Sequence, residues 1–272
     1  MNLLRIEMRR ALHRRAIRVL ILLGLTLCVV AGLIAFLGSA GKSLAELRNG
    51  EDGGSPAIMT DWWIAEDNGG YLLLASFFLF LGGMFGGATV AGGEWRHGTV
   101  TTLLTWEPRR LRLHTARSAG ATLLAFVISF GLQTLFLAAF LPAVLAHGTT
   151  EGADASFWRT LVFAMTRTSL VTAAAAALGI GLATLARNTA FAIIAVFGWM
   201  AVVENLVRGL KPSLAPWLWG ENLGTVIGWD QLPDVEFTRG PVVAAATIGG
   251  YVAVIVVGAA WSFQRRDLAA AS

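Results

Sequence analysis

A polar segment from Glu94 to Arg110, EWRHGTVTTLLTWEPRR, separates two long apolar stretches of this sequence. Its first residue is a carboxylate, and the arginines that follow are Arg96, Arg109 and Arg110 within the segment and Arg112 and Arg117 past its end. A carboxylate among arginines favours ion pairing over acid–base catalysis. We therefore expect Glu94 to anchor this segment through Arg96 or Arg117. The simpler alternative is that Glu94 only neutralises a neighbouring arginine at a membrane interface.

The segment is also patterned as a short amphipathic helix. Gly98 breaks the incoming helix, and the hydroxyl of Thr99 can accept a backbone N–H and cap a new helix. Leu103 and Leu104 then give this helix an apolar side, and Pro108 stops it. An apolar face on a short polar-flanked helix needs a partner, which is another protein, the bilayer surface or the rest of the same bundle. The residues assigned to this element are Glu94, Arg96, Gly98, Thr99, Leu103, Leu104, Pro108, Arg109 and Arg110.

The sequence offers no catalytic or metal-binding constellation of its own. GSAGKS at Gly38–Ser43 resembles a phosphate-binding loop, but the position of its first glycine holds Phe36. The histidines are scattered at His13, His97, His114 and His147. We therefore predict a protein that is not an enzyme, with no metal site and no cofactor in this chain.

The composition is that of a membrane protein, with 56% hydrophobic and only 14% charged residues. Charge-free runs predict six helices in an all-α, polytopic transmembrane domain that covers residues 1–272. The fifth run, Asn188–Val203, is short for a span and reaches Val207 only if Glu204 is tolerated. The spans are assigned to 17–39, 69–93, 118–146, 160–186, 188–208 and 240–263, and Pro142 is expected to end or kink the third of them.

The remaining segments follow from the charge distribution. Arginines concentrate on the side of the N-terminus, which predicts that both termini are cytoplasmic. The membrane is expected to be a bacterial-type inner membrane. Residues 1–16 predict an interfacial amphipathic helix, with an unstructured basic flank as the alternative. The other assignments are a solvent-exposed external loop at 40–68, the cytoplasmic loop at 94–115, an external re-entrant segment at 209–239 and a cytoplasmic tail at 264–272.

Two sets of residues within the spans stand out. GGMFGG supplies Gly82, Gly83, Gly86 and Gly87, whose spacing predicts close helix packing, either inside one subunit or between two. Arg167 and Glu204 fall at similar depths near the outer edge, and we expect them to pair across two spans. The alternative is that each side chain reaches water separately.

The polar segment resembles the signature of type-2 ABC exporter permeases, a family of drug, polysaccharide, lipid and ion exporters. The C-terminal FQRRDL at Phe263–Leu268, the six spans and the long last external loop resemble that family too. The matching positions are Glu94, Gly98 with Thr99, Leu103 with Leu104, Pro108, Arg109 or Arg110, and Ala116 with Arg117.

This resemblance implies that the polar segment is a coupling helix that docks in a separate ATPase subunit. It implies two copies of that ABC ATPase, which hold ATP and Mg, and a second permease subunit, identical or homologous. ATP-driven closure of the ATPases would move the docked helices and switch the spans between inward- and outward-facing states.

Mostly apolar spans favour a hydrophobic or amphipathic cargo such as a drug, a lipid or a peptide. The alternatives are a transporter or channel driven by ion gradients and a membrane scaffold without transport. Apart from its protein partners we expect contact with the lipid bilayer and none with nucleic acid.

Overall fold

The computed structural model describes residues 3–49, 54–63, 70–96, 99, 105, 109–229 and 239–265. Within these residues, six helical segments are long and apolar enough to cross a membrane, which confirms the all-α, six-span prediction. The helices are α1 (Leu3–Leu12), α2 (Arg15–Ser39), α3 (Leu44–Arg48), α4 (Tyr71–Arg96), α5 (Arg110–His147), α6 (Ala155–Ala186), α7 (Thr189–Gly198), α8 (Glu204–Leu210), α9 (Trp219–Gly228) and α10 (Pro241–Arg265). The spans are α2, α4, α5, α6, the α7–α8 pair and α10.

The third span differs most from its predicted bounds. Helix α5 begins at Arg110, well before the charge-free run, and continues through Pro142 to His147. Of the two effects expected of Pro142, ending the helix was therefore wrong, and a kink there stays a prediction. A proline removes one hydrogen bond of the helix, and a membrane helix tolerates that loss when its neighbours re-satisfy the freed backbone group.

Helix α6 forms the centre of the bundle. In its most apolar window 72% of the residues are buried, against 17% in α2 and in α10. Small residues allow α4 to lie directly on it: a Cβ at Gly83 would fall 2.5 Å from the carbonyl oxygen of Thr172, and one at Gly87 would overlap the backbone of Ala176. Gly86 instead faces the side chain of Ile17, and Gly82 faces open space.

Short elements cover the end of the bundle that is opposite to the N-terminal helix. The described part of the segment predicted to be the first external loop includes a 3-10 turn at Met59–Trp62, and Ile58, Met59, Trp62 and Trp63 are all buried. The expectation of solvent exposure in this loop was therefore wrong for these four residues, because their apolar side chains pack into the core of the bundle. Helix α9 lies in the predicted re-entrant segment and is buried against α6 and α10.

The fifth span is interrupted. Helix α7 ends at Gly198, a π-helical turn follows at Trp199–Val203, and α8 then begins with Glu204. A π-helical turn adds a residue to the helical repeat, so this one changes the side of the helix on which Glu204 lies. Such turns often occur at functional sites. The buried carboxylate of Glu204 is thereby placed next to α9.

Candidate functional site at the basic end of the bundle

The N-terminal helix α1 packs against the first turns of α5. Its apolar and acidic side is turned inwards, because Glu7 is buried while Arg9 is exposed. A Cβ at Gly120 of α5 would lie 3.4 Å from Met8, so a small residue there lets the two helices approach closely. We call this end of the molecule, where α1, the end of α4 and the start of α5 meet, the basic end.

Glu94 is the central residue of this end. Its Oε1 accepts a hydrogen bond from Nη2 of Arg14 at 2.7 Å and lies 3.6 Å from Nη2 of Arg10. Its Oε2 lies 2.5 Å from Nη2 of Arg117, a close ion pair without the alignment of a hydrogen bond. One carboxylate thus contacts three arginines that come from two other parts of the chain.

A second carboxylate completes the group. Oε1 of Glu7 accepts a hydrogen bond from Arg10 at 2.7 Å, and its Oε2 lies 4.0 Å from Nε of Arg117. We name Glu7, Arg10, Arg14, Glu94 and Arg117 the Glu94 cluster. With three arginines and two carboxylates, the cluster has an excess of one positive charge.

The buried members of the Glu94 cluster depend on one another. The side chains of Glu94 and Arg117 are 3% and 2% exposed. Because an unpaired buried charge is strongly unfavourable, removing one partner of such a pair typically costs about 3–5 kcal/mol. Arg14 also donates from Nη1 to the carbonyl oxygen of Thr89 in α4 at 2.9 Å. The cluster therefore fastens the end of α4 to α1, to the start of α2 and to α5.

An aromatic layer lies beside the cluster and reaches the last span. Trp95 packs edge-on against Phe263 of α10 at 6.2 Å, and the guanidinium of Arg187 lies 4.8 Å from the Trp95 ring. The ring of His114 lies 5.7 Å from Phe263 and is buried. The end of α4 is thus in contact with α10 as well.

The chain turns sharply at the basic end between α6 and α7. Arg187 has a left-handed backbone with φ 55°, and Asn188 caps α7 by accepting the backbone N–H groups of Ala190 and Phe191. A Cβ at Gly92 of α4 would overlap the hydroxyl of Thr189. Because Gly92 has no side chain, this turn can pack directly against α4.

The structure describes only part of the predicted coupling segment. Thr99 is helical and exposed, and its hydroxyl lies 3.5 Å from the carbonyl oxygen of Glu94. Arg109 is exposed and Arg110 starts α5. Gly98, Leu103, Leu104 and Pro108 lie outside the described residues, as does the side chain of Arg96.

At the opposite end, Arg167 and Glu204 are both buried but occupy different surroundings. The guanidinium of Arg167 lies 4.9 Å from the ring of Phe163, 5.1 Å from that of Trp229 and 5.6 Å from that of Trp63. The predicted pairing with Glu204 is absent from the ion pairs formed by the described residues. Each of the two charged side chains instead lies among other groups of the protein, and both are buried.

The carboxylate of Glu204 binds to the start of α9. Its oxygens accept the backbone N–H of Gly220 at 3.0 and 3.1 Å, and Oε1 also accepts the indole N–H of Trp199 at 3.1 Å. A carboxylate at a helix N-terminus is favoured because the unpaired N–H groups there carry partial positive charge. This contact ties α8 to α9.

Between the two ends, uncharged polar groups join α4, α5 and α6. The amide nitrogen of Gln133 donates to the hydroxyl of Ser169 at 3.0 Å, and the hydroxyl groups of Ser129 and Thr172 lie 3.2 Å apart. Ser76 and Thr168 are paired at 2.9 Å. Such hydrogen bonds hold membrane helices together without placing a charge in the bilayer.

Sequence reasoning did not connect α1 to the Glu94 cluster. It had paired Glu94 with Arg96 or Arg117, of which Arg117 is in contact, but it had not considered Glu7, Arg10 or Arg14. One signal was available. Glu7 is the acid in an otherwise basic helix, and it shares a helical face with Ala11 and Arg14 at spacings of four and seven residues.

Neither a comparison with protein-family models nor a search of curated proteins found a match for this chain.

Proposed function

We propose that this chain is the membrane permease subunit of an ATP-driven exporter of the type-2 ABC class. It contributes half of a dimeric translocation path and performs no chemistry itself. Two separate ATPase subunits hold ATP and Mg, and they act on the segment between α4 and α5. The cargo is a hydrophobic or amphipathic compound such as a drug, a lipid or a peptide.

The observation that carries this proposal is the position of the Glu94 cluster. Glu94 is bonded to Arg14 and paired with Arg117, and it immediately precedes the segment that resembles a coupling helix. A force applied to that segment is transmitted through Glu94 to α1 and α5, and through Trp95 to α10. This multiple attachment suits a device that converts the motion of a bound partner into movement of several spans.

The stiffness of α4 supports the same function. Gly83 and Gly87 hold α4 directly against α6, the most buried span. Because dense packing resists bending, displacement of the basic end of α4 moves the whole α4–α6 pair rather than a single turn. Switching between inward- and outward-facing states requires whole helices to move together in this way.

The direct test is co-purification of an ABC ATPase with the affinity-tagged chain from the cells that encode it. We expect ATPase peptides in the purified complex, and we expect Leu103→Asp to remove them while leaving expression intact. Leu44→Asp is the matched control, because Leu44 is exposed on α3 at the opposite end of the bundle. A wild-type complex without any ATPase would refute the proposal.

Coupling is tested on the purified complex in vesicles. Glu94→Gln and Gly98→Pro are expected to leave the ATPase bound and hydrolysing ATP while ATP-driven cargo transport is lost. Normal transport by both variants would show that the polar segment does not transmit force.

The described polar residues favour this function over ion-gradient coupling. The mid-bundle network of Gln133, Ser129, Ser169, Thr172, Thr168 and Ser76 contains no carboxylate, whereas the buried carboxylates Glu7, Glu94 and Glu204 all lie near the ends. Proton-coupled carriers place titrating groups within the membrane. Transport that persists without ATP and follows an imposed ion gradient would favour the alternative.

A further inference from the structure

A crevice of about 270 Å³ runs along the bundle between α2 and α4, with α5 and α6 forming its back wall. Its lining extends from Ile17 to Leu27 on α2 and from Phe78 to Val90 on α4. At about 1.5 Å per residue, these stretches are roughly 15–18 Å long. That length corresponds to about half of a 30 Å hydrocarbon core, or one leaflet.

The crevice exists because α2 packs along α5 rather than along α4. Gly32 of α2 lies directly on α5, where a Cβ would be 2.6 Å from the carbonyl oxygen of Ala139, and Gly24 lies close to the side chain of Leu132. On the other side, Gly82 of α4 has no atom within 4 Å of its Cβ position. The gap is therefore a feature of helix packing, and its lining is almost wholly apolar, with Ser129 and Thr172 as polar groups at the back.

Arginines lie near one end of the crevice. Ala11, Ile17 and Val90 line this end, and Nη1 of Arg14 donates to the carbonyl oxygen of Thr89, the residue before Val90. Arg10 directly precedes Ala11 in the sequence. The side chains of Arg10 and Arg14 are 36% and 23% exposed, so they are accessible as well as paired. Arg18, one turn further along α2, is exposed.

We propose that this crevice binds one acyl chain of an anionic glycerophospholipid from the leaflet at the basic end. Its phosphate lies at Arg14 and Arg18. An apolar crevice disfavours water, and hydrocarbon fills such spaces in proteins. Basic pockets between membrane helices bind anionic headgroups in the same way. The lipid is a bound structural ligand, and this inference does not depend on the exporter proposal.

An acyl chain matches the shape of the crevice. Its extended hydrocarbon is narrow, and one leaflet's depth corresponds to the roughly 15–18 Å length of the lining. The positive charge at one end adds a preference for anionic over zwitterionic lipid.

The test uses the full-length protein in nanodiscs of phosphatidylcholine and phosphatidylglycerol. A trace of phosphatidylglycerol carries a photoactivatable group in one acyl chain, and mass spectrometry maps the labelled peptides. We expect labelling of the crevice-facing residues of α2 and α4. Gly82→Leu should reduce it severalfold by filling the crevice, and Ala125→Leu on the opposite wall should do the same. Gly250→Leu on α10 is the matched control, because Gly250 also faces open space but lies outside the crevice.

The headgroup contact has a separate readout. Arg18→Gln should lower the preference for phosphatidylglycerol over phosphatidylcholine by about fivefold, since one basic residue near a membrane surface contributes about 1 kcal/mol. Arg112→Gln removes an equal charge from α5, and we expect it to change the preference for phosphatidylglycerol less than Arg18→Gln does. Labelling spread evenly over exposed helix faces, unchanged labelling in both crevice-filling variants, or crosslinks to a second copy at these positions would overturn the proposal.

Discussion

At the basic end of the bundle, the carboxylate of Glu94 meets Arg10, Arg14 and Arg117, which come from α1, the α1–α2 junction and α5. At the opposite end, the carboxylate of Glu204 accepts hydrogen bonds from Gly220 and Trp199. Both carboxylates are almost fully buried. The first is compensated by formal charges from distant elements, and the second by neutral N–H donors close to the start of a helix.

The difference affects what each end does mechanically. Separating two elements that share a buried ion pair costs free energy, because each buried charge then loses its partner. The Glu94 cluster therefore makes α1, α4 and α5 move together. Among the described residues, the hydrogen bonds of Glu204 join α8 to α9, and their donors are neutral. We therefore expect breaking the Glu204 contacts to cost less than breaking those of Glu94.

The largest expected effect is that of Glu94→Gln. This change leaves Arg117 buried without its main counter-charge, so we expect the free energy of unfolding to fall by about 3–5 kcal/mol. Thermal unfolding in nanodiscs measures it. Glu151→Gln is the control, because Glu151 forms an exposed ion pair with Arg48, and such pairs contribute about 0–1 kcal/mol. Equal losses in the two variants would remove the distinction between buried and exposed pairs.

Double-mutant cycles separate the two ends more directly. For Glu94 and Arg117, we expect a coupling energy of about 1–3 kcal/mol, since residues in one ion-pair network are not additive. For Arg167 and Glu204, which form no ion pair with each other among the described residues, we expect the two effects to add to within about 0.5 kcal/mol. Restoration of stability by double charge reversal of Arg167 and Glu204 would show that they do pair.

Glu204→Gln should have a smaller effect than Glu94→Gln. The glutamine keeps one oxygen that can accept the Gly220 N–H, so the loss is mainly that of the charge in these hydrogen bonds, about 1.5 kcal/mol. The same unfolding measurement tests it, and limited proteolysis after residue 210 reports on the attachment of α9. If Glu204→Gln lowered the free energy of unfolding as much as Glu94→Gln, neutral N–H donors would stabilise a buried carboxylate as strongly as arginines do.

The smallest effect concerns Asp154, an exposed carboxylate that caps the N-terminus of α6. Hydrogen bonds from the backbone N–H of Phe157 and the hydroxyl of Ser156 lower the pKa of Asp154 below its ordinary value. A lowered pKa in the folded state means that Asp154 stabilises the protein above the pKa of an unfolded aspartate and loses this contribution as the pH falls through its own pKa. Asparagine also caps helices, so Asp154→Asn should remove that pH dependence and keep most of the stability at neutral pH. Unfolding curves of the two proteins between pH 3 and pH 7 test this, and parallel curves would contradict it.

Much of the fold could be predicted from the sequence because the length of an apolar run alone decides whether a helix can cross a bilayer. Helix α10 at Pro241–Arg265 closely matches the predicted 240–263. Helix α5 does not, because its first two turns carry Arg112 and Arg117, and a rule based on charge-free residues stops short of them. In these turns Arg117 is buried and paired with Glu94, a compensation that the linear sequence does not display.

The candidate site was predicted only in part. Helical spacing shows that Glu7 and Arg14 share a face, but it does not show which helix lies opposite that face. The pairing of Glu94 with Arg14 joins residues 80 positions apart. The expected pairing of Arg167 with Glu204 was based on equal depth in the membrane, which leaves the rotation of each helix undetermined. The π-helical turn before Glu204 alters that rotation.

The sequence by itself determined the number of spans, the location of the polar segment between the second and third of them, and the glycines that allow close packing. These properties depend on local composition and on short-range spacing along one helix. Only the tertiary structure decided which charges meet, that Gly83 and Gly87 face α6 while Gly82 faces the crevice, and that α2 leaves this crevice beside α4. Those outcomes depend on the relative rotation and separation of helices, which arise when many side chains pack at once.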